Sequence, residues 1–522
     1  MININFCGYP VPNDFVTLHF LLVGMTGSGK TNILRILMRS ALLNVMSEPN
    51  YRALVYDQKG DMVSFIKAQG ITDNELRILN PYDKRCHEWD IARDVTGQDT
   101  AFQIASIFIP EEDSQNRYFT DAARSILAGV MNVFIEKGIE RQAKTKLKPD
   151  WRLADVVYAM QNKKRIRHIL EQTTGGQELI ELHLENEKTT ASILSTLDTR
   201  LRPLIVPAAL WRKAGDNDKK ISLEEFLGGR YVLVLGNNQK ARLPLQSLNR
   251  ILFQRLTELV LDSPNVSDEE LHPRRVWFFL DETRKIGKLD GLDDLLSNVR
   301  SKGGAVVLAF QDIDGMRLVY RKEAAQEITS QCGHYCFLKM SGTETPLWAS
   351  QTMGEYEETA TLPTTGETSG GGERRFTDGT STQFHKTSIV MPSMLTSLEY
   401  PSRKQGQGIR LFARIPCIDK NVLDCTDKQR LQPHKVEEWQ GPKSPDLADD
   451  NHPWPEINDY YFKQLPEWRT EMGDYERLGI PAIPPITGNS RQEQNETPEI
   501  PPSEKQEQVP QSGKKRIYRG SA

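Results

Sequence analysis

Eight consecutive residues near the amino terminus have the types and spacing of a loop that wraps around a phosphate group. They follow the apolar run 20–23 and precede a second apolar run at 33–37. Glycines leave room for backbone N–H groups to surround phosphate oxygens, Lys30 can reach the β and γ phosphates, and the Thr31 hydroxyl can bind Mg²⁺. The pattern G-x-x-x-x-G-K-T in this context predicts a site for ATP and Mg²⁺. We assign the nucleotide contacts to Gly24, Thr26, Gly27, Ser28, Gly29, Lys30, Thr31 and Asn32.

An acidic pair follows another apolar run far downstream. Residues 276–280 read Val-Trp-Phe-Phe-Leu and end in Asp281 and Glu282. In such an arrangement the first acid holds Mg²⁺, and the second polarises the water that attacks the γ-phosphate. Alone, the pair is common in ordinary α/β proteins. Together with Lys30 it predicts a site that hydrolyses ATP, with Thr31 and Asp281 at the metal.

A third polar turn follows the apolar run 53–56. The turn reads Asp57-Gln58-Lys59-Gly60-Asp61. Ligand groups collect at the carboxyl ends of strands in open α/β sheets. Asp57 or Lys59 therefore either contacts the nucleotide or belongs to a simple turn, and the sequence does not separate the two alternatives.

Length and composition indicate a large globular chain. Its 522 residues are 38% hydrophobic and 26% charged, which suggests two or three domains. The net charge of −4 excludes a chain that is basic overall. A contact with DNA must therefore come from a local basic surface, such as the lining of a channel.

The sequence has no run of 18 or more apolar residues and no basic or hydrophobic leader pattern. Its six cysteines lack the paired spacing of a disulfide framework. Cys332, His334 and Cys336 lie close together, but they lack a second ligand pair at zinc spacing, so we interpret them as core strand residues. These features predict a cytoplasmic protein.

The order of periodic segments predicts an α/β fold with a mostly parallel sheet, interrupted by a helical insertion. Apolar runs of strand length alternate with helical patterns on both sides of a long stretch that has helical periodicity only. The predicted boundaries are 1–96 for the first part of the nucleotide-binding core, 97–225 for an all-α insertion, 226–430 for the second part of the core, and 431–522 for a proline-rich tail.

Two further stretches lack periodicity. The Thr-, Gly- and Ser-rich residues 359–387 predict a loop or mobile flap. The tail predicts a largely disordered segment that adds little to stability, so a chain ending near Gly441 should stay folded. Its basic last residues are either a solvated charge run or a contact with nucleic acid or a partner.

Several of these segments, in this order, resemble the type IV secretion coupling proteins, the TraG/TraD-type ATPases that pump DNA in conjugation. The resemblance covers about residues 5–415. It implies a RecA-like motor assembled as a homo-hexameric ring, which drives single-stranded DNA and its attached relaxase toward a secretion channel. The segments that carry it are 19–31, 55–60, 280–283, 299–303 and 309–311.

The resemblance also implies roles for two residues that composition and spacing alone leave open. Arg300 resembles the arginine that reaches across a subunit interface to the γ-phosphate, and Gln311 resembles the sensor of that phosphate. The alternatives are a surface arginine and a cap at the end of a strand. With these roles the catalytic set becomes Glu282, Arg300, Gln311 and Lys30.

One departure from the family concerns the amino terminus. Coupling proteins usually begin with membrane-spanning helices, whereas here the phosphate loop starts after 23 residues. The expectation is that a separate chain supplies the membrane anchor at the inner face of the plasma membrane. The alternative is a soluble HerA/FtsK-like DNA pump in plasmid mobilisation, maintenance or defence. An adaptor that binds ATP without hydrolysing it is disfavoured, because it needs neither Glu282 nor Arg300.

Overall fold

The computed structural model describes residues 3–83, 85–111, 117–216, 218–237, 241–267, 273–370, 373–402, 408–418, 434–436 and 475–481. The strands are β1 Ile4–Phe6, β2 Tyr9–Val11, β3 Phe20–Val23, β4 Tyr51–Asp57, β5 Leu76–Ile78, β6 Glu88–Trp89, β7 Lys220–Ile221, β8 Val232–Gly236, β9 Arg275–Leu280, β10 Gly304–Phe310, β11 His334–Phe337, β12 Glu355–Gly370, β13 Glu373–Ser388, β14 Ile409–Arg414 and β15 His434–Val436.

The α-helices are α1 Lys30–Ser47, α2 Met62–Ala68, α3 Ile91–Asp94, α4 Gln98–Phe108, α5 Arg117–Thr145, α6 Leu153–Ala159, α7 Lys163–Leu170, α8 Thr174–His183, α9 Glu187–Leu201, α10 Ile205–Asp216, α11 Leu223–Gly228, α12 Arg242–Leu261, α13 Thr283–Ile286, α14 Leu292–Asn298, α15 Ile313–Tyr320, α16 Lys322–Ser330, α17 Glu344–Met353 and α18 Pro392–Ser397. Short 3₁₀ helices span Asn13–Leu18, Arg202–Leu204, Val299–Lys302 and Glu476–Leu478.

A mostly parallel sheet forms the centre of the fold. Its strand order is β15-β14-β11-β3-β10-β9-β4-β8-β5. The seven strands from β11 to β5 run parallel, and β14 and β15 add an antiparallel edge. Every residue of β3, β4, β8, β9 and β10 is buried. Such continuous apolar strands suit a sheet covered on both faces, and the predicted α/β class is confirmed.

Strand β10 lies between β3, which leads into the glycine-rich loop, and β9, which leads into the acidic pair. The register pairs Phe310 with Val23 and Leu308 with Leu280. The three strands therefore end at the same edge of the sheet, within two residues of one another. This strand order brings the segments after β3, β9 and β10 together.

Helices α4 to α10 occupy the described residues from 98 to 216. The chain enters and leaves this helical block through β6 and β7, which pair in parallel. At the same neck, Trp89 donates a 2.6 Å hydrogen bond to the carboxylate of Asp94, which also accepts from the Leu223 N–H at 2.7 Å. The two ends of the helical block are therefore tied to each other, and β8 after the block pairs with β5 before it.

The described residues of 359–387 form strands, so the prediction of a loop is wrong, and the alternative of a mobile flap stays a prediction. Strands β12 and β13 pair in antiparallel register from Glu355 opposite Ser388 to Gly370 opposite Glu373, forming a two-stranded ribbon. Threonine, which is frequent here, is β-branched and favours extended backbone. The sequence of the ribbon does not alternate between apolar and polar residues, so the search for hydrophobic periodicity did not predict these strands.

The prediction that the tail adds little to the folded structure needs correction at two segments, residues 434–436 and 475–481. Within residues 1–482, Tyr475, Leu478 and Ile480 are each less than 5% exposed. They pack against the helical block although the surrounding sequence is rich in proline and charge. A packed contact of this kind depends on a few apolar residues. The average composition of a long segment does not reveal them. Strand β15 also lies in the predicted tail and pairs with β14 at the edge of the central sheet. The rest of the tail, including its basic end, lies outside the described residues.

None of the helices in the described part of the chain is both long enough and apolar enough to cross a membrane.

Candidate nucleotide-binding site

The glycine-rich loop occupies residues 24–29, between β3 and α1. Gly27 and Gly29 have φ values of 83° and 98°. Residues with a Cβ atom reach this left-handed region only with strain, so these two positions require glycine. The loop thereby turns sharply and delivers the amino end of α1, with its unpaired N–H groups, to the edge of the sheet.

Backbone hydrogen bonds tie the loop to both neighbouring strands. The Gly24 N–H donates to the Phe310 carbonyl at 3.3 Å, and the Met25 N–H donates to the Lys339 carbonyl at 2.9 Å. The loop is therefore held in shape by the ends of β10 and of the segment after β11. A preformed loop loses little conformational entropy when it binds a phosphate group.

Gly29→Ala is expected to lower the free energy of unfolding by about 2–4 kcal/mol, since strain at positive φ adds to a steric clash. A Cβ atom at this position would lie 2.9 Å from Cγ2 of Ile409 in β14. Gly27→Ala is the matched control, because its nearest neighbour is Tyr400 at 3.9 Å and only the φ strain of about 1 kcal/mol remains. Chemical denaturation of both variants measures the difference, and equal losses would contradict the role of Ile409.

A buried ion pair joins the loop to the acidic pair. Nζ of Lys30 lies 3.4 Å from Oε1 of Glu282, and the two side chains are 6% and 8% exposed. Glu282 itself has φ 53° and ψ 48°, a left-handed conformation that costs a residue with a Cβ about 1 kcal/mol or more. Strain of this kind clusters at functional positions. Here it turns the carboxylate toward the phosphate loop.

Neighbouring side chains hold the strained turn and its carboxylate. The amide of Gln311 donates to both oxygens of Glu282, at 2.9 and 3.1 Å. The hydroxyl of Thr283 contacts the carbonyls of Leu280 at 3.1 Å and Ala309 at 3.3 Å, which joins the ends of β9 and β10. Gln311 and Thr283 together fix the direction in which the Glu282 carboxylate points.

Charges within the site shift the pKa values of its members. Burial raises the pKa of Glu282, but the Lys30 ammonium and the Gln311 amide outweigh burial and hold the pKa below its ordinary value. Burial lowers the pKa of Lys30 more than the carboxylates of Glu282 and Asp281 raise it. The Glu282 carboxylate is consequently ionised at neutral pH, which is the state that a general base requires.

The predicted metal ligands have the donor chemistry that Mg²⁺ prefers. Asp281 is 3% exposed, and its Oδ1 has no hydrogen-bond partner among the described residues. Burial raises its pKa, and Lys30 and Lys59 offset this only in part. A buried carboxylate oxygen without a partner is costly unless a cation or water satisfies it. Asp281 and the Thr31 hydroxyl therefore fit a hard divalent cation.

Two residues of the turn after β4 have different roles: Asp57 stabilises the turn, and Lys59 lies at the candidate site. Asp57 is buried and accepts hydrogen bonds from the N–H groups of Gly60 at 2.8 Å and Met62 at 3.0 Å. The Lys59 side chain is directed toward α1, and its Nζ lies 3.4 Å from the Thr31 hydroxyl. Asp57 thus shapes the turn that places Lys59 beside the predicted metal ligand.

Lys30, Thr31, Lys59, Glu282 and Gln311 line one open cavity of about 370 Å³, whereas Asp281 is not among its lining residues. Three of its lining residues, Met25, Lys285 and Pro401, were not among the predicted site residues, although Met25 lies inside the predicted loop. Lys285 lies three residues after Glu282, a local signal that was available, and its Nζ donates to Oε1 of Gln58 at 3.1 Å. Pro401 follows the β12–β13 ribbon and has no local signal. The lining residues are Met25, Thr26, Gly27, Gly29, Lys30, Thr31, Asn32, Lys59, Glu282, Lys285, Gln311 and Pro401.

Two predicted nucleotide-binding residues lie in the loop without lining the cavity. Gly24 lies at its start, and a Cβ there would be 2.6 Å from Oγ of Ser28. Ser28 is 2% exposed, and its Oγ has no hydrogen-bond partner in the part of the chain that the structure describes. The cavity thus receives ten of its lining positions from the loop, α1, the turn after β4 and the ends of β9 and β10.

Arg300 lies away from this group within the same chain. It is exposed, in the 3₁₀ helix Val299–Lys302 that precedes β10. The cavity lies at the opposite, carboxyl end of β10, about 20 Å away for a strand of this length. Arg300 therefore does not reach the cavity of its own subunit.

His334 and Cys336 lie in β11, Cys332 lies just before this strand, and all three are buried. The ring of His334 stacks on Phe20 with 4.5 Å between centroids, and its Nε2 donates to the Phe15 carbonyl at 2.8 Å. Burial lowers the pKa of His334 to about 4. A neutral histidine packed in this way serves the core of the sheet.

Comparison with known proteins places this geometry in a family. A family model described as the DNA-binding domain of type IV secretion-system coupling proteins matches residues 3–417. The chain is 23% identical over 354 residues to the coupling protein TraD of Escherichia coli, and the matched region covers 67% of this chain and 45% of TraD. It is 26% identical over 126 residues to the protein VirD4 of Agrobacterium fabrum, covering 24% of this chain and 18% of VirD4. The chain thus spans less than half the length of these curated relatives.

Solved structures of the bacterial conjugative coupling protein TrwB share the fold. The unbound form superposes with a TM-score of 0.57 at 21% identity, covering 80% of this chain and 86% of TrwB. TrwB in complex with ADP and Mg²⁺ gives 0.56 at 20% identity, covering 80% and 87%. Because the family model matches most of its length, the chain belongs to the type IV secretion-system coupling proteins.

Proposed function

We propose that the chain is an ATP-hydrolysing motor that translocates DNA during conjugation and delivers a relaxase-bound strand to a type IV secretion channel. The observation that carries this proposal is the convergence of Lys30, Glu282 and Gln311 on one cavity in a member of the coupling-protein family. Binding of ATP alone would not require a carboxylate that two neighbours orient and keep ionised.

ATP with Mg²⁺ is the proposed substrate pair. The glycine-rich loop and the amino end of α1 offer N–H groups to phosphate oxygens, and Lys30 supplies a positive charge beside them. Thr31 and Asp281 would hold Mg²⁺, which neutralises negative charge on the transferred phosphate. The complex of TrwB with ADP and Mg²⁺ supports this choice of ligands.

Hydrolysis needs a group that polarises the attacking water. Glu282 is the proposed general base, because its carboxylate is ionised, lies beside Lys30 and is oriented by Gln311. When the γ-phosphate is present, the Gln311 amide can donate to a phosphate oxygen instead of to Glu282. The switch would report the state of the nucleotide to β10 and the segment that follows it.

Arg300 completes the site from a neighbouring subunit in this proposal. Its exposed position at the other end of β10 suits a side chain that acts across an interface. An arginine supplied in this way stabilises charge in the transition state. Assembly into a homo-hexameric ring, with a separate partner that provides the membrane anchor at the inner face of the plasma membrane, follows from this role and from the family.

The proposed DNA substrate is single-stranded, and the proposed protein partners are the relaxase and the channel components. A DNA pump outside secretion would share the chemistry of the site. The match to a family model of secretion coupling proteins supports the conjugative role over that alternative.

Phosphate release by the purified chain with Mg²⁺ and ATP tests the proposal. We expect hydrolysis that single-stranded DNA stimulates several-fold and that added salt suppresses, since backbone contacts with DNA release counterions. Glu282→Gln protein is the control for contaminating ATPases. ATP hydrolysis that neither single-stranded nor double-stranded DNA changes would refute a DNA motor, and failure to bind ATP would refute the nucleotide site.

Gln311→Ala is expected to lower kcat for ATP hydrolysis by about 10–100-fold with little change in ATP affinity, because the Glu282 carboxylate loses the donors that orient it. Gln58→Ala is the matched control, since its amide lies near the same cavity but contacts Lys285 instead. Steady-state phosphate release compares the two variants. An equal effect of both substitutions would show that Gln311 has no special role.

A further inference from the structure

Residues 475–481 form a short segment that contacts the helical block far from their place in the sequence. The segment begins at Tyr475, which is fully buried, and contains the 3₁₀ helix Glu476–Leu478. The two aliphatic side chains, Leu478 and Ile480, are 4% and 1% exposed. Seven residues thus bury an aromatic and two aliphatic side chains.

The aromatic side chain occupies a position lined by other rings. The ring of Tyr475 stacks on Phe134 in α5, with centroids 5.9 Å apart and planes at 22°, and lies 6.3 Å from the ring of Tyr158 in α6. Its hydroxyl donates to the Asp155 carbonyl at 3.2 Å. Both the ring and the hydroxyl of Tyr475 therefore have partners in the helical block, as is usual for a buried tyrosine.

The arginine two residues later contacts a buried carboxylate. The guanidinium of Arg477 donates to both carboxylate oxygens of Asp155 and, at 2.7 Å, to the Asp150 carbonyl. The Asp155 side chain is 2% exposed, and its other described hydrogen bond comes from the Arg152 N–H at 2.8 Å. Such a carboxylate is strongly selective for a bidentate cation, since leaving it unpaired is costly.

Side chains of the helical block also bind the backbone of the segment. Arg141 in α5 donates to the Arg477 carbonyl, and Nε2 of His168 in α7 donates to the Pro481 carbonyl at 2.9 Å. Main-chain contacts with pockets for alternate side chains are how proteins read a peptide ligand.

We propose that α5, α6, α7 and residues 150–152 form a peptide-binding site, and that the chain's own residues 475–481 are its resident ligand. The ligand pattern is an aromatic residue, an arginine two positions later, and aliphatic residues three and five positions after the aromatic. The site is separate from the nucleotide cavity and does not depend on ATP hydrolysis.

Fluorescence polarisation tests the proposal with a labelled peptide of residues 473–483. The receptor is the full-length chain carrying Tyr475→Ala and Arg477→Ala, which empties the site, and the wild-type chain is the matched control. We expect saturable binding to the double variant. Binding to the wild-type chain should be at least about tenfold weaker, because a tethered ligand has a high effective concentration.

Peptide and receptor variants test the pattern itself. A peptide with Arg477→Ala should bind about tenfold more weakly or worse, since it loses a charge-assisted, bidentate contact. Asp155→Asn in the receptor should weaken the wild-type peptide similarly. Equal affinity of the wild-type and Arg477→Ala peptides, or no binding to a double variant that keeps its wild-type circular dichroism spectrum, would overturn the proposal.

A second measurement covers the case in which the double variant does not fold. A protease site inserted between residues 455 and 456 of the full-length wild-type chain allows the tail to be cut after folding. We expect the released fragment to co-elute with the rest of the chain at high concentration and to separate on dilution. A fragment that separates at every concentration, or never separates, would show that no reversible peptide site exists.

Discussion

Glu282→Gln protein is expected to bind ATP as the wild-type chain does and to hydrolyse it about 10²–10⁴-fold more slowly, the range typical for a lost general base. Glutamine keeps the size of the side chain and can still accept a hydrogen bond from Gln311, so the cavity keeps its shape. It lacks the negative charge that polarises water. Binding of a fluorescent ATP analogue and phosphate release measure the two effects separately.

Lys30→Ala should behave differently, because it is expected to lose ATP binding together with hydrolysis. Its ammonium is the positive charge assigned to the β and γ phosphates, and it also holds Glu282 at 3.4 Å. Lys285→Ala is the matched control, since this lysine lines the same cavity but contacts Gln58. Wild-type hydrolysis by Glu282→Gln protein would remove Glu282 from the catalytic set, and ATP binding by Lys30→Ala protein would contradict the loop assignment.

The second large effect concerns mixed assemblies. Arg300→Ala and Glu282→Gln proteins are each expected to be inactive alone and to recover activity when mixed. An active interface needs the Glu282 of one subunit and the Arg300 of its neighbour. In a random equal mixture about a quarter of the ordered interfaces of a ring have both, so activity should approach about a quarter of the wild-type value.

The position of Arg300 is the physical reason for this expectation. It is exposed at the amino end of β10, whereas Glu282 and Gln311 lie at the cavity beyond the carboxyl end. Specific activity of the wild-type chain should also rise with protein concentration until assembly is complete. Phosphate release from the mixtures is the measurement, and Lys322→Ala, which removes another exposed cation, is the control.

Co-assembly must be demonstrated by differently tagged subunits that purify together. If the two mutant proteins co-assemble and never complement each other, Arg300 does not act in trans. A specific activity that does not change with protein concentration would also contradict a role of Arg300 in trans.

Local patterns were sufficient for the parts of the site that belong to single strand-and-turn units. The glycine spacing before Lys30 requires a particular backbone path, and the apolar run before Asp281 requires a buried strand that ends at these acids. Such features depend on residues a few positions apart, so their physical causes are all present in the local sequence. The same holds for the helical periodicity that follows residue 97.

Low-complexity stretches were the least predictable. The β12–β13 ribbon pairs residues up to 33 positions apart, from Glu355 to Ser388, and no apolar alternation in the sequence marks either strand. Tyr475 and Arg477 stand in a segment whose average composition favours disorder, and only their contacts with the helical block show that the segment packs. Composition averages over many residues, whereas docking depends on a few.

The sequence by itself determined which residues are candidates for binding a nucleotide phosphate and which acid is the candidate for polarising water, because these assignments follow from residue type and local spacing. Only the tertiary structure decided which of them meet. Strand β10 lies between β3 and β9, and this order brings Gln311 to 2.9 Å from Glu282. The length of β10 separates Arg300 from the cavity of its own chain. The packing of the sheet edge also places Ile409 of β14 against Gly29. Strand order and packing depend on contacts between residues hundreds of positions apart, and no local pattern contains them.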